Sequence, residues 1–329
     1  MNKKQLNILY TCDNNYLPLT SISMASVIYN NPNAYITFYI ATEDENSDNF
    51  EKLVNFYKDN EKIKVKYLNV KKYDSLLESK KLDRWGSNSY YVYWKLFAYD
   101  DLDIDYIWYL DSDVICVSQI DNPSLNNKAI GSCLDSAHYT FNRVAHINED
   151  YYLFNTGSLF IDVKKWKENN CTQKVVKYIN EMKYKPLMCD QDILAIALQD
   201  DIEVLDTKYD YLVCYDYYGI HNTYEMYSLN KKPYYKESEV ENSKNNIVFY
   251  HCLGGVFGRP WQKGNYSPIK DEFNKYKKLA CWNEYETEFN KSLLFKIEGC
   301  LEFLPKPIYN RIHNMAQRIY VKNMAKNSL

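Results

Sequence analysis

The amino-acid sequence predicts an α/β fold, a mainly parallel sheet with helices on both faces and a small helical extension at its C-terminal end. Three observations carry this reading. Short apolar, β-leaning runs alternate with stretches of helical spacing from residue 7 onward, the pattern of strand–helix–strand units. One of these runs, residues 106–110 (YIWYL), gives way at once to Asp111-Ser112-Asp113, so polar chemistry sits at a strand's end. Beyond about Trp261 the composition changes, and the last segment becomes basic and amphipathic.

In chain order, residues 7–11 (NILYT) form a strand that meets the polar turn Asp13-Asn14-Asn15, and residues 17–29 have the apolar spacing of a helix. Residues 35–41 (YITFYIA) predict a second strand, 50–57 part of a helix, and 63–70, with its alternating lysines, a third strand. A helix over 91–99 precedes the YIWYL strand. Residues 153–163 are apolar, and 164–185 predict a surface helix with Val175, Val176, Ile179 and Met182 on one face. Residues 190–198 predict a short helix, and 247–250 (IVFY) a late buried strand ending at His251. Over 301–329, Lys306, Arg311, Arg318, Lys322 and Lys326 stand against Glu302, with Ile308, Ile312, Met315, Ile319 and Met324 interleaved at near-helical spacing. Such a helix can lie on an anionic membrane surface or dock on its own domain.

A chain of 329 residues can bury a full enzyme core, and one large unit with an appendage fits it better than two equal halves. The formal charge of −3 supplies no basic field for nucleic acid, so none is expected as a partner. Nine cysteines (Cys12, Cys116, Cys133, Cys171, Cys189, Cys214, Cys252, Cys281 and Cys300) are scattered singly, which predicts free thiols in a reducing cytoplasm. The N-terminal apolar stretch is short and runs into Asp13, unlike a signal peptide, and no run reaches the roughly 18 apolar residues of a membrane span. Tyrosine is the compositional outlier, with 34 copies. Rings that stack on sugars are one reading, and a bias shared across the source proteome is the plainer one for any single tyrosine.

The sharpest chemistry lies in Asp111-Ser112-Asp113. In extended chain, residues i and i+2 point to one side, so two carboxylates can converge on a hard divalent cation as the strand opens into a loop. An apolar strand that ends this way places charge at the mouth of a sheet, where ligands of open α/β sheets bind. Burying the pair without a cation would be costly. Alone, a DxD triplet also fits a solvated turn.

Here the sequence resembles glycosyltransferase family 8, the retaining enzymes of the bacterial lipooligosaccharide galactosyltransferase and glycogenin type, whose hallmark is a hydrophobic strand followed by DxD. Four further segments match in order across about residues 7–261. Residues 10–16 (YTCDNNY) are similar to the family's opening strand and loop, which implies that Thr11, Asp13 and Asn15 contact UDP and that Tyr16 stacks on the base. Read alone, they are an Asn-rich turn capping the next helix. Residues 154–158 (FNTGS) are similar to its FNxG segment, implying that Asn155 faces the donor sugar, with Gly157 permitting close backbone approach. Asp190-Gln191-Asp192 is similar to its DQD, implying that Asp190 grips sugar hydroxyls and Gln191 lies near the anomeric carbon. Acidic residues in a first helical turn are also ordinary capping chemistry.

His251 matches the family's third metal ligand, and Arg259-Pro260-Trp261 its KPW triplet, with Arg in place of the usual Lys and a Gly254–Gly258 segment about two residues longer. Arg can still grip phosphate oxygens bidentately, and Gly254 belongs to the same donor-binding loop. Lys95 stands where the family often has an Arg that contacts the donor.

The resemblance implies a GT-A, Rossmann-like catalytic domain over residues 1–265 and a helical basic extension over 266–329. It further implies a UDP-hexose donor, Mn²⁺ with Mg²⁺ as the alternative, and a glycan, glycolipid or glycoprotein acceptor whose pocket comes from loops such as 73–88 and 209–236. Gln191 is a poor nucleophile because its amide lone pairs are delocalised, which favours front-face attack over a covalent intermediate. Three alternatives stay open: a metal-dependent hydrolase of nucleotide-diphosphate sugars, an inactive UDP-sugar-binding protein, and a self-glycosylating primer.

Overall fold

The computed structural model describes residues 4–82, 90–137, 151–183, 185–289 and 293–327. Residues 83–88 of the first predicted acceptor loop, Tyr184, the Met324 side chain and residues 328–329 lie outside what is described.

The strands are β1 (Gln5–Thr11), β2 (Tyr35–Ala41), β3 (Ile63–Tyr67), β4 (Tyr106–Leu110), β5 (Val114–Cys116), β6 (Ile130–Leu134), β7 (Phe154–Asp162), β8 (Ile202–Val204), β9 (Tyr211–Leu212) and β10 (Phe249–His251). Seven of them form one sheet in the order β3-β2-β1-β4-β7-β6-β8. All its pairs are parallel except those made by β7, which runs against both β4 and β6. A second, three-stranded sheet has the order β5-β10-β9. The strand order reverses at β1 and β4, and that switch point carries the Asp111-Ser112-Asp113 turn.

Both faces of the large sheet are covered. Leu9, Ile107, Tyr109, Leu159 and Ile161 enter one apolar cluster, while Ile8, Tyr10, Trp108, Leu110 and Phe160 enter the cluster on the other face. Burial on two sides explains why these strands read as continuous apolar runs rather than alternating ones. The composition anomaly resolves here too, because Tyr10, Tyr99, Tyr109, Tyr211, Tyr215, Tyr224, Tyr250, Tyr276 and Tyr309 are among the largest fully buried side chains. A large share of the tyrosine excess thus fills core.

The helices that position the site are α1 (Leu17–Asn30), α2 (Asp48–Tyr57), α3 (Tyr91–Trp94), α4 (Val163–Glu168), α5 (Cys171–Glu181) and α6 (Asp190–Ala197). Helices α7 (Ile220–Tyr227), α8 (Lys270–Lys277) and α9 (Lys306–Asn327) follow. Three expectations need correcting. The third strand stops at Tyr67, because Leu68–Val70 turns toward the next helical segment. The helix expected over 91–99 is the single turn α3, continued by turns in which Leu96 and Phe97 donate to carbonyls three residues back. The helix expected over 164–185 is two, α4 and α5, broken where Asn170 adopts left-handed φ of 54°; Asn tolerates that conformation better than most residues. Val175 and Ile179 are buried on α5 as expected.

The C-terminal helix α9 packs beside α7. Its Tyr309, Asn310 and Val321 are buried, while Met315, Ile319 and Tyr320 are exposed. Helix α8 sends Phe273 and Tyr276 into the cluster around the small sheet. Among the described residues no helix is long and apolar enough to cross a membrane.

Asp192, in the first turn of α6, is nearly fully buried, with Oδ2 accepting the backbone N–H groups of Leu187 and Met188 and Oδ1 without a hydrogen-bond partner. Burial, reinforced by the charge of Asp190, pushes its carboxyl up to about 7. The folded state therefore holds this proton more tightly than the unfolded chain, and the associated stability is lost as pH rises from about 4 to about 7. Asp192→Asn should flatten that fall. Urea unfolding of both proteins at pH 5 and pH 8 tests it, and an unchanged gap between their midpoints would sink the assignment.

Candidate active site

The switch-point turn begins where Asp111 N–H donates to Gly157 O at 2.8 Å, next to the last β4–β7 pair, Leu110 with Ser158. This fixes the turn against β7. His251, the last residue of β10, arrives from the small sheet, and Val114 of β5 is its register partner. Two sheets thus meet on one point. There the ligand atoms of Asp111, Asp113 and His251 all lie within 4.8 Å of one another. Bonds of about 2.0–2.6 Å to a shared ion span about 5 Å at most, so the donor set fits one divalent cation.

The histidine is held from behind. Asp210, fully buried, faces His251 Nδ1 at 3.0 Å through Oδ1, while Nε2 lies 3.4 Å from Asp113. A carboxylate on the far nitrogen fixes the tautomer that turns Nε2 toward a metal. Burial disfavours the charged imidazole, but Asp210 and Asp113 outweigh it and hold its pKa well above the usual value. Cation binding at Nε2 therefore releases a proton. The ring lies against β7, where a Cβ added at Gly157 would fall 2.2 Å from its Cε1. Gly157 is thus the residue that admits the imidazole.

Two cationic side chains balance the carboxylates. Lys95, only 3% exposed, lies 3.0 Å from Asp111 and 3.1 Å from Asp190, donates to Thr156 O, and rests over the Tyr109 ring. Burial works against its charge, yet the two carboxylates raise its pKa. Arg259 pairs with Asp113 at 2.6 Å and lies over the Trp261 ring. Burial opposes the Asp113 charge, but His251 and Arg259 hold its carboxyl far below the usual range. Gly254 lies alongside, its missing Cβ 3.1 Å from Arg259 Nε.

On the opposite side, Gln191 donates through Nε2 to Phe154 O at 2.9 Å and to Asp135 at 3.2 Å. Asn155 donates to the same Asp135 oxygen at 2.9 Å, and its Oδ1 accepts from Gly157 N. The chain enters α6 through Cys189 at φ 54°, a conformation costly for a non-glycine residue. That strain sits one residue before Asp190.

The opening turn forms the near rim. Asp13 Oδ1 accepts from Tyr16 N at 2.9 Å; Asn15 is exposed, and Tyr16 is exposed with its ring 6.4 Å from Tyr91. Thr20 Oγ1 bonds both Tyr16 O and Ser112 Oγ, which ties this rim to the switch-point turn. Thr11 is turned inward, its hydroxyl 3.2 Å from that of Tyr109, which in turn donates to Asp111.

Asp111 and Asp190 are joined through Lys95, Asp113 to His251 and Arg259, Gln191 and Asn155 through Asp135, and Thr11 to Tyr109, whereas Asn15 stands exposed on the rim. Asp210, Asp135 and Tyr109 were missed. Asp135 had a readable signal, since it ends the apolar run IGSCL as Asp111 ends YIWYL. Nothing local marks Asp210, whose role exists only once β9 lies beside β10.

A GT-A sheet with this acidic, histidine-completed cation site at its switch point defines a nucleotide-sugar-dependent transferase. Residues 7–264 match the model of the glycosyl transferase family 8, and the chain belongs to that family. It is 28% identical to the lipopolysaccharide 1,2-glucosyltransferase of Escherichia coli, over 84% of this chain and 78% of that one. It is 24% identical to the lipopolysaccharide 1,3-galactosyltransferase of Salmonella typhimurium, over 85% of this chain and 80% of that one. The crystal structure of the galactosyltransferase LgtC with donor and acceptor sugar analogs superposes with a TM-score of 0.61 at 16% identity, covering 84% of this chain and 96% of that one. That similarity shows the shared fold.

Gly157→Ala should displace the His251 ring, lowering stability by about 1–3 kcal/mol and weakening Mn²⁺ binding. Calorimetric titration with Mn²⁺ beside a thermal melt checks both. Wild-type Mn²⁺ affinity in this variant would show that the contact has no bearing on the cation site.

Proposed function

We propose that this glycosyltransferase moves glucose or galactose from a UDP-sugar to a glycan, glycolipid or glycoprotein acceptor, with retention at the anomeric carbon. The observation that carries the reading is the convergence of Asp111, Asp113 and His251 on one point between two cationic side chains, Lys95 and Arg259. A divalent cation held by the first three would supply Lewis-acid stabilisation of the departing nucleoside diphosphate, and an imidazole beside two carboxylates favours Mn²⁺ over Mg²⁺.

The chain's own residues supply the rest. Thr11, Asp13 and Asn15 hold uridine, with Tyr16 against the base. Arg259, on the loop begun by Gly254, exchanges Asp113 for phosphate oxygens, which its guanidinium can grip in pairs. Lys95 holds Asp111 and Asp190 in place by pairing with both. Asn155 and Asp190 bind hexose hydroxyls. The Nε2 of Gln191 is committed to Phe154 and Asp135, so the amide offers Oε1 to the anomeric region.

In the front-face route, the bond from the anomeric carbon to the β-phosphate oxygen breaks and its electron pair leaves with UDP. The acceptor hydroxyl oxygen bonds the same face of that carbon, and its proton passes to the departing phosphate oxygen. The family match ends at residue 264, which supports residues 1–265 as the catalytic unit and 266–329 as an extension.

A panel of UDP-sugars with and without Mn²⁺, read by thermal shift and UDP release, tests the proposal. One UDP-hexose should stabilise the protein by about 2.7 kcal/mol at a hundredfold excess over Kd, only with the cation, and release UDP when acceptor is present. Asp111→Asn with His251→Ala should remove the Mn²⁺ dependence. The reading fails if no UDP-sugar binds and the double variant binds metal as before.

The outer face of α9 supports peripheral contact with the cytoplasmic face of a membrane. Met315, Ile319 and Lys322 are exposed there, flanked by Arg311 and Arg318 at the edge of the groove against α7, a pairing of apolar and basic side chains suited to anionic lipid. The protein should sediment with phosphatidylglycerol-containing vesicles and not with phosphatidylcholine alone, and Met315→Glu with Ile319→Glu should release it. Equal behaviour toward both vesicles would refute the contact.

A further inference from the structure

Beyond the family-matched residues, the segment 281–289 crosses from one wall of the site to the other. At its start, Cys281 and Trp282 pack on the cluster beneath β1 and β2, and Lys52 of α2 lies 4.6 Å over the Trp282 ring. At its end, Thr287 pairs with the residues that follow Arg259. Its N–H donates to Trp261 O at 3.0 Å, and its carbonyl accepts from Lys263 N at 2.9 Å. Phe289 then lies on Gly258, which holds φ of 75° and whose missing Cβ would fall 2.9 Å from that ring. The backbone that carries Arg259 is therefore clamped from outside by residues 287–289.

Between these anchors stands Tyr285, half-buried against the cluster that contains Phe257 and Trp261. Burial and the neighbouring Tyr16 and Asp13 push its phenol up, while Arg259 pulls it back. Packed beside Phe257 and Trp261 on the C-terminal side, the phenol is within electrostatic reach of the rim that Asp13 and Tyr16 form. The rim has aromatic character already, through the Tyr16–Tyr91 pair.

We propose that residues 281–289 form a strap completing the donor site, in which Tyr285 contacts the nucleoside of the UDP-sugar while Thr287 and Phe289 position Arg259 for its diphosphate. The proposal rests on the UDP-sugar reading above. It makes part of the extension a component of the binding site, so that nucleotide affinity depends on residues outside the family domain. The groove of about 460 Å³ between α7 and α9 is lined by Lys306, Arg311 and Arg318 but also by Glu225, and nothing marks an occupant.

Titration of the full-length protein with UDP in saturating Mn²⁺, beside Mn²⁺ titration without nucleotide, tests the strap. A nucleobase–aromatic contact accounts for roughly 5–100-fold in affinity, so Tyr285→Ala should weaken UDP by that factor and leave Mn²⁺ affinity within about twofold. Tyr285→Phe should retain most of the UDP affinity. Tyr285→Leu, which keeps the packing volume, should behave like Tyr285→Ala and guards against a folding defect. Phe289→Ala should weaken UDP and abolish the further loss that Arg259→Ala causes in wild type. Tyr285→Leu and Phe289→Ala proteins that bind UDP as wild type does overturn the strap alone. A wild-type protein that binds no UDP overturns the strap and the donor reading together.

Discussion

Lys95 is a buried ammonium that holds together the ends of two elements, Asp111 after β4 and Asp190 at the head of α6. Of the three charges only the ammonium and Asp190 are deeply buried, Asp111 being 32% exposed. An isolated charge buried this deeply would shed or gain a proton to become neutral, and breaking a buried pair by removing one partner typically costs about 3–5 kcal/mol. The surroundings are built to serve the pair: Tyr109 donates to Asp111 and lies beneath the ammonium, Thr11 meets Tyr109, and Thr156 O accepts the remaining proton.

The second pole of the site is Asp113, with His251 and Arg259 on it and Asp210 behind the imidazole. Lys95 and Arg259 differ in a way that matters. Lys95 is locked by two carboxylates on separate elements, whereas Arg259 is one-third exposed and comes from a loop with glycines at 254, 255 and 258. The first is a structural charge and the second a movable one. A cation held by the three ligands would compete with Arg259 for Asp113, and a diphosphate would offer that guanidinium a second anion.

How much of this could be read from sequence depended on whether the signal was local. Strands β1, β2 and β4 were legible because burial on both faces gives unbroken apolar runs, and DxD was legible because a strand end is a local event. The break between α4 and α5 was not, since two asparagines interrupt an apolar spacing that otherwise continues through Val175 and Ile179. His251 needed the family resemblance to rise above an ordinary strand-end histidine. Its partner Asp210 lies 41 residues away in sequence, and only the pairing of β9 with β10 brings the two together. Gly157 was expected to admit backbone, and what it admits is the His251 ring.

The C-terminal helix shows why two readings of one amphipathic pattern need not compete. A helix has room for more than one apolar stripe, and α9 uses one inward, through Tyr309 and Val321, while Met315 and Ile319 remain outside. Docking accounts for the first stripe and leaves the second without an intramolecular purpose. Polar anchors fix which stripe faces in: Asn314 donates to Met226 O and Ser228 Oγ, and Asn310 donates to Asn222. These bonds orient the helix by its polar side chains rather than by apolar burial alone, which keeps its most basic face turned to solvent. The rotational setting of α9 is therefore a consequence of α7, the element it lies on, and any partner of the outer stripe meets a surface whose orientation relative to the donor site is already set.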